Sequence, residues 1–197
     1  MSADPVYSDM ELSAVQEIAN IGTGTSAGAL GQLICRSVEI DVPRVEFVDL
    51  AEATERIGPL ESEVFGVLTP VTGGIRASLL LAFPAESAGT LCGLLGTEAH
   101  TEMGWSCLQE IGNILTGSYT TAISQLTGIS IEPEPPMVAN DMLGAIVGSV
   151  LVASGSTSKV LFMRTGMHIE GELCEFGFLF VPEEGAITVL LAALGLA

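Results

Sequence analysis

One polar pattern occurs twice in this chain of 197 residues, 93 positions apart. Ser13, Glu17, Asn20 and Pro43 recur as Ser106, Glu110, Asn113 and Pro136, and both copies read S-x3-E-x2-N-x22-P. Between positions 13–45 and 106–138, 15 of 33 residues are identical without a gap. Such a match reads as an internal tandem duplication. It predicts two halves of like fold, about 8–96 and 101–197, related by a pseudo-twofold axis within a single domain over 1–197. On a helix, positions i, i+4 and i+7 lie on one face, so each copy sets a Ser, a Glu and an Asn in a row.

The rest of the pattern fills in the elements. Ser8-x-x-Glu11 forms a capping box and predicts a helix start near Ser8. Leu12, Val15, Ile18 and Ala19 then line one face, and Ser13, Gln16, Glu17 and Asn20 a neighbouring one. Gly22-Thr23-Gly24 predicts a break, with a second helix over Ala27–Ile34. Val38–Val48 reads as one strand with Pro43 inside it or at its edge, followed by a short acidic helix over Leu50–Arg56. Glu63–Pro70 and Ile75–Phe83 read as a hairpin, and Ala85–Leu95 as a helix stopped by Gly96.

The second half repeats the plan. Met103–Leu115 is the counterpart helix, with Trp105, Leu108 and Ile111 facing in, and Thr120–Leu126 is its second segment. Pro133–Pro136 is a rigid extended stretch, Asp141–Val152 a helix, Val160–Met167 and Glu172–Phe180 a hairpin, and Glu184–Leu194 a closing helix. Hairpin connections favour antiparallel strands. The expected class is therefore α+β, with antiparallel strands packed against helices.

Composition narrows the partners. Six Lys and Arg face 24 Asp and Glu, so the net charge is 6 − 24 = −18, and Lys159 is the sole lysine. No basic patch exists to neutralise phosphates, which argues against nucleic acid, and an anionic membrane would repel such a surface. Spread acidity with little lysine points to a salt-rich, halophilic cytoplasm. Cys35, Cys92, Cys107 and Cys174 show no C-x-x-C spacing, and His100 and His168 do not pair with them, so no metal site is expected. Reduced thiols fit a cytoplasmic location. The N-terminus lacks the basic and apolar regions of a signal peptide, and the apolar run over 185–197 is too short for a membrane span.

Two nucleophile-like motifs read as structural. Gly24-Thr25-Ser26-Ala27-Gly28 matches G-x-S-x-G, but an amphipathic helix precedes it where a nucleophile elbow needs a strand. Ser156-x-x-Lys159 sits in a Ser/Gly/Thr-rich turn. The Ser/Glu/Asn rows carry more. Asn is a poor helix former, yet it stands in both copies although 18 of the 33 aligned positions differ. An amide donates and accepts hydrogen bonds at once, which suits orienting a water molecule. A Glu can pair with a lysine or bind a cation. With no nucleophile or base of its own, each row reads as half an active site, completed by a partner bearing a phosphoryl group.

On these residues the chain resembles the CheC/CheX/FliY family of phosphatases, which act on the phosphorylated response regulator CheY in bacterial and archaeal chemotaxis. The local runs Glu17-Ile18-Ala19-Asn20-Ile21-Gly22 and Glu110-Ile111-Gly112-Asn113 carry the likeness, which extends through Pro136 and Asp141 to the closing helix. Two intact copies match the CheC branch, since CheX has one copy and FliY adds flagellar-switch segments. The resemblance implies that Asn20 and Asn113 each enter the CheY active site and align the attacking water. It implies that Glu17 and Glu110 pair with a CheY lysine. Ser13 and Ser106 would support the site, and Pro43 and Pro136 would shape the strand start. The protein would need no cofactor of its own, the magnesium ion belonging to CheY. It would also bind CheD, a receptor-modifying deamidase, through Asp141. A non-catalytic adaptor docking CheY or CheD on the same helix faces is the alternative.

Overall fold

The structure, a computed structural model, describes residues 7–154 and 159–196. Its elements run α1 (Asp9–Ile34), β1 (Val38–Ile40), β2 (Arg44–Asp49), α2 (Leu50–Ile57), β3 (Glu63–Gly73), β4 (Ala77–Pro84) and α3 (Ala85–Leu94). The same order then recurs as α4 (Glu102–Thr127), β5 (Ile131–Pro133), β6 (Met137–Met142), α5 (Leu143–Ser154), β7 (Lys159–Ile169), β8 (Glu172–Pro182) and α6 (Ala186–Ala193).

All pairings are antiparallel. The strand order is β1-β7-β8-β4-β3-β5, with β2 also on β7 and β6 also on β3. Exchange each strand for its counterpart in the other half and this order reads the same from the opposite edge. The first two strands of each half pair with the third strand of the other, so both halves build one sheet.

Helices cover both faces. Residues from α1, α3, α4 and α6 pack with Leu79, Leu81, Phe83, Phe176, Phe178 and Phe180 in one core. Residues from α2 and α5 pack with Leu80, Ala82, Leu179 and Val181 in a second. The central strands are therefore buried on both sides, which explains why β4 and β8 read as nearly continuous apolar runs.

Several expectations need correction. The break at Gly22-Thr23-Gly24 does not occur, because α1 runs unbroken for 26 residues, as does α4. Gly22 instead gives room to Tyr119: a Cβ there would lie 2.7 Å from the ring. The single strand over Val38–Val48 is two strands separated at Asp41–Pro43. The helix expected from Asp141 begins at Leu143, since Asp141 is still paired with Val64 in β6. Trp105 is 39% exposed, while Gly104 and Leu108 take the buried side of α4. Ser156 lies outside the described residues.

Candidate functional site

Both polar rows lie on the two long helices that pack against each other over one face of the sheet. The start of α1 is fixed by the Ser8–Glu11 capping box, in which the Ser8 N–H donates to Glu11 Oε2 at 2.6 Å and Ser8 Oγ accepts from the Glu11 N–H at 3.3 Å. Ser8 Oγ also donates to Glu11 Oε2 at 2.7 Å, and this bond, with that from the Ser8 N–H, lowers the pKa of the Glu11 carboxyl from its ordinary value. Thr101 caps α4 in the same way, accepting from the Gly104 N–H at 3.0 Å. Val15, Ile18, Ala19, Leu108 and Ile111 pin the inner sides of the helices into the core. The outer sides are then fixed by helical geometry, and Ser13, Glu17, Asn20, Ser106, Glu110 and Asn113 are all exposed.

The first row borders an open concavity of about 440 Å³, lined by Asp9, Leu12, Ser13, Gln16, Glu17, Asn20, Arg44 and Val45. Among the described residues, neither Glu17 nor Glu110 forms an ion pair, and the Asn113 amide makes no hydrogen bond. Ser106 Oγ donates back to the Glu102 carbonyl at 3.0 Å, a helix-internal contact. The Glu17, Glu110 and Asn113 side chains thus stand on long helices with their polar atoms unengaged among the described residues, whereas Asn20 Oδ1 accepts from Gln16 Nε2 at 3.0 Å. A partner can engage them without first breaking an ion pair.

Pro43 is buried and Pro136 half-buried, each in the segment leading into the second strand of its half. Their constant spacing from the Asn has a direct physical cause in a residue that the motif itself does not include. Gln16 Nε2 donates to the Pro43 carbonyl at 2.6 Å, and Gln109 Nε2 donates to the Pro136 carbonyl at 2.6 Å. In each half a Gln beside the motif Glu fastens the strand entry to the helix. The signal for it is a repeated residue, since Gln stands at the same place in both copies.

The remaining candidates fall elsewhere. Asp141 is exposed at the end of β6, its Oδ1 accepting from the Met142 N–H at 2.7 Å, away from both rows. Ser26 is buried mid-helix and donates to the Gly22 carbonyl at 2.7 Å, so the G-x-S-x-G run is no nucleophile elbow. Lys159 Nζ lies 3.1 Å from Asp49 Oδ2. Among the described residues no three His, Cys, Asp or Glu side chains cluster as a metal site.

An exposed amide and carboxylate thus stand three residues apart on each of the two long helices. The model of the CheC-like family matches the chain twice, over residues 10–46 and 103–139, which are the two motif segments. The CheY-P phosphatase CheC of Bacillus subtilis is 30% identical over 150 residues, covering 72% of each chain. Among solved structures, Thermotoga maritima FliY superposes with a TM-score of 0.76 at 20% identity, over 97% of this chain and 98% of that one. The CheX–CheY–BeF3–Mg complex from Borrelia burgdorferi gives 0.51 at 14% identity, over 83% and 96%. The chain belongs to the CheC-like family.

Proposed function

We propose that this protein hydrolyses the aspartyl phosphate of a CheY-type response regulator, with Asn20 and Asn113 each orienting the attacking water. The observation that carries the reading is the pair of exposed, rigidly mounted Glu–Asn rows within the segments shared with the CheC-like family. Water adds to phosphorus, the bond to the aspartyl oxygen breaks, and inorganic phosphate and a free carboxylate result. Nothing of the phosphatase is consumed. The partner supplies the phosphoryl group and Mg²⁺, and the amide supplies position, which accounts for much of the acceleration available to phosphoryl transfer. Glu17 and Glu110 would pair with a lysine of the partner and set the register. Ser13 and Ser106 would border the contact. Encounter with CheY would place the protein at work in the cytoplasm; among the described residues no helix is long and apolar enough to cross a membrane.

A second contact, with CheD, would use Asp141. It is favoured by two exposed apolar side chains near that end of β6: Met142, next in the chain to Asp141, and Leu60, whose carbonyl accepts from the Gly144 N–H at 3.0 Å.

The test times the decay of phosphorylated CheY with wild type, Asn20→Ala, Asn113→Ala and the double variant. The double variant should lose about 10²-fold or more of the acceleration while still binding CheY. Unchanged decay rates in the double variant would refute the water-orienting role. Binding without acceleration by wild type would establish the adaptor instead.

A further inference from the structure

Gln16 does more than fasten Pro43. Its amide has three partners: Nε2 donates to the Pro43 carbonyl at 2.6 Å and to Asn20 Oδ1 at 3.0 Å, and Oε1 accepts from the Val45 N–H at 3.1 Å. Two of those partners are backbone groups of fixed polarity. A carbonyl only accepts and an N–H only donates, so the orientation of the Gln16 amide is not a matter of choice. Its NH2 end must face Pro43. The same NH2 then faces Asn20, and the Asn20 atom opposite it must be the oxygen. The Asn20 NH2 is left pointing away from Gln16, and its oxygen keeps a second lone pair.

We propose that Gln16 is a positioning residue that fixes the amide orientation of Asn20 before any partner arrives. The proposal rests on the functional reading above only for its kinetic consequence. The two residues are i, i+4 neighbours on one helix face, and Gln16 is itself held by β2, so the orientation is imposed by the fold. The second half lacks this arrangement. Gln109 keeps the bond to Pro136, but among the described residues the Asn113 amide has no bonded partner. The molecule therefore contains a partial control: the bond to the Pro carbonyl is common to both halves, while the Val45 bond and the Asn restraint belong to the first.

Side-chain ¹⁵N relaxation of the two amides tests this without any substrate. The Asn20 NH2 should be more ordered than that of Asn113, and Gln16→Met should bring it down to the Asn113 level. Equal order in the wild type would overturn the proposal. The kinetic arm uses single-site proteins. In an Asn113→Ala background, Gln16→Met should lower kcat on phosphorylated CheY by about 3–10-fold, the worth of one hydrogen bond, with KM unchanged. In an Asn20→Ala background, Gln109→Met should leave kcat nearly unchanged. Equal losses in both backgrounds would assign the effect to the strand fastening and overturn the proposal. If wild type fails to accelerate decay, the phosphatase reading falls, and the relaxation arm still decides the orientation.

Discussion

Thr23 Oγ1 and Tyr119 Oη lie 2.9 Å apart in the buried contact between α1 and α4, joining residues 96 positions apart in the chain. The two copies differ here. Tyr119 stands where the first copy has Ser26, and Gly22 stands where the second has Leu115. A large ring from one helix fills the room left by the other, and its hydroxyl finds a polar partner there. Burial pushes the Tyr119 phenol above its ordinary pKa, with the Thr23 bond opposing in part. Tyr119→Phe and Thr23→Val should each cost about 1 kcal/mol, by the loss of a bond and the stranding of a buried hydroxyl. In urea unfolding, the double variant should cost less than the sum of the singles. Additive losses would show that the bond contributes nothing.

Two glycines only two residues apart in α1 should respond in opposite directions. A Cβ at Gly22 would meet the Tyr119 ring at 2.7 Å, whereas one at Gly24 meets nothing within 4 Å. Gly22→Ala should therefore destabilise by about 1–3 kcal/mol through overpacking. Gly24→Ala should stabilise by about 0.5–1 kcal/mol, because alanine loses less backbone entropy in a helix. Gly117, its counterpart in α4, is equally open and should behave like Gly24. Thermal unfolding of the three variants decides it, and a stabilised Gly22→Ala would contradict the packing described.

These glycines also show where the sequence misleads. Gly22-Thr23-Gly24 carries the local signature of a helix break, and the break is absent because tertiary packing outweighs propensity: α1 has a partner helix along its length. The repeat itself is legible, and with it the duplicated element order and the exposed rows, since period and face follow from spacing alone. The exchange of strands between halves is not legible, because nothing local to β1 or β5 names its partner. The β6–α5 junction is misplaced for a related reason. Asp141 looks like a helix cap, but pairing with β3 carries the strand through Met142. Gln16 and Gln109 are visible as repeated residues. Their role depends on carbonyls 27 positions away, which only the fold brings to them.

The four thiols divide by exposure. Cys35 is exposed, Cys107 partly so, and Cys92 and Cys174 are buried. Burial pushes the Cys92 and Cys174 thiols from the ordinary value of 9.0 up to about 11, chiefly by desolvation. A thiol-specific reagent at about pH 8 should label Cys35 fastest and Cys107 more slowly, and reach the buried pair only in denaturant. Because the folded pKa is raised, their contribution to stability is complete below the unfolded value near 9 and is lost as pH rises towards about 11. Unfolding free energy should fall across that window, and substituting both buried cysteines by alanine should flatten the fall. Rapid native labelling of Cys92 or Cys174 would be the contrary result.

Salt should stabilise this protein. Most of its basic side chains are already engaged on the surface: Arg36 with Glu170, Arg56 with Glu46 and Glu52, Arg76 with Glu183, Lys159 with Asp49, and Arg164 with Glu175. Exposed pairs of this kind are worth about 0–1 kcal/mol each, so screening them costs little. Repulsion among the remaining carboxylates weighs more in a chain at net charge −18. The Debye length falls from about 10 Å at 0.1 M to about 3 Å at 1 M, which removes most repulsion between neighbouring surface carboxylates. Raising KCl from about 0.1 to 2 M should therefore raise Tm, by about 2–4 °C for each kcal/mol gained in a chain of this size. Chloride is the right anion for the test, because sulfate would also strengthen apolar burial. A Tm that falls with KCl would mean that the ion pairs outweigh the repulsion, and the acidic surface would then need another explanation than a salt-rich setting.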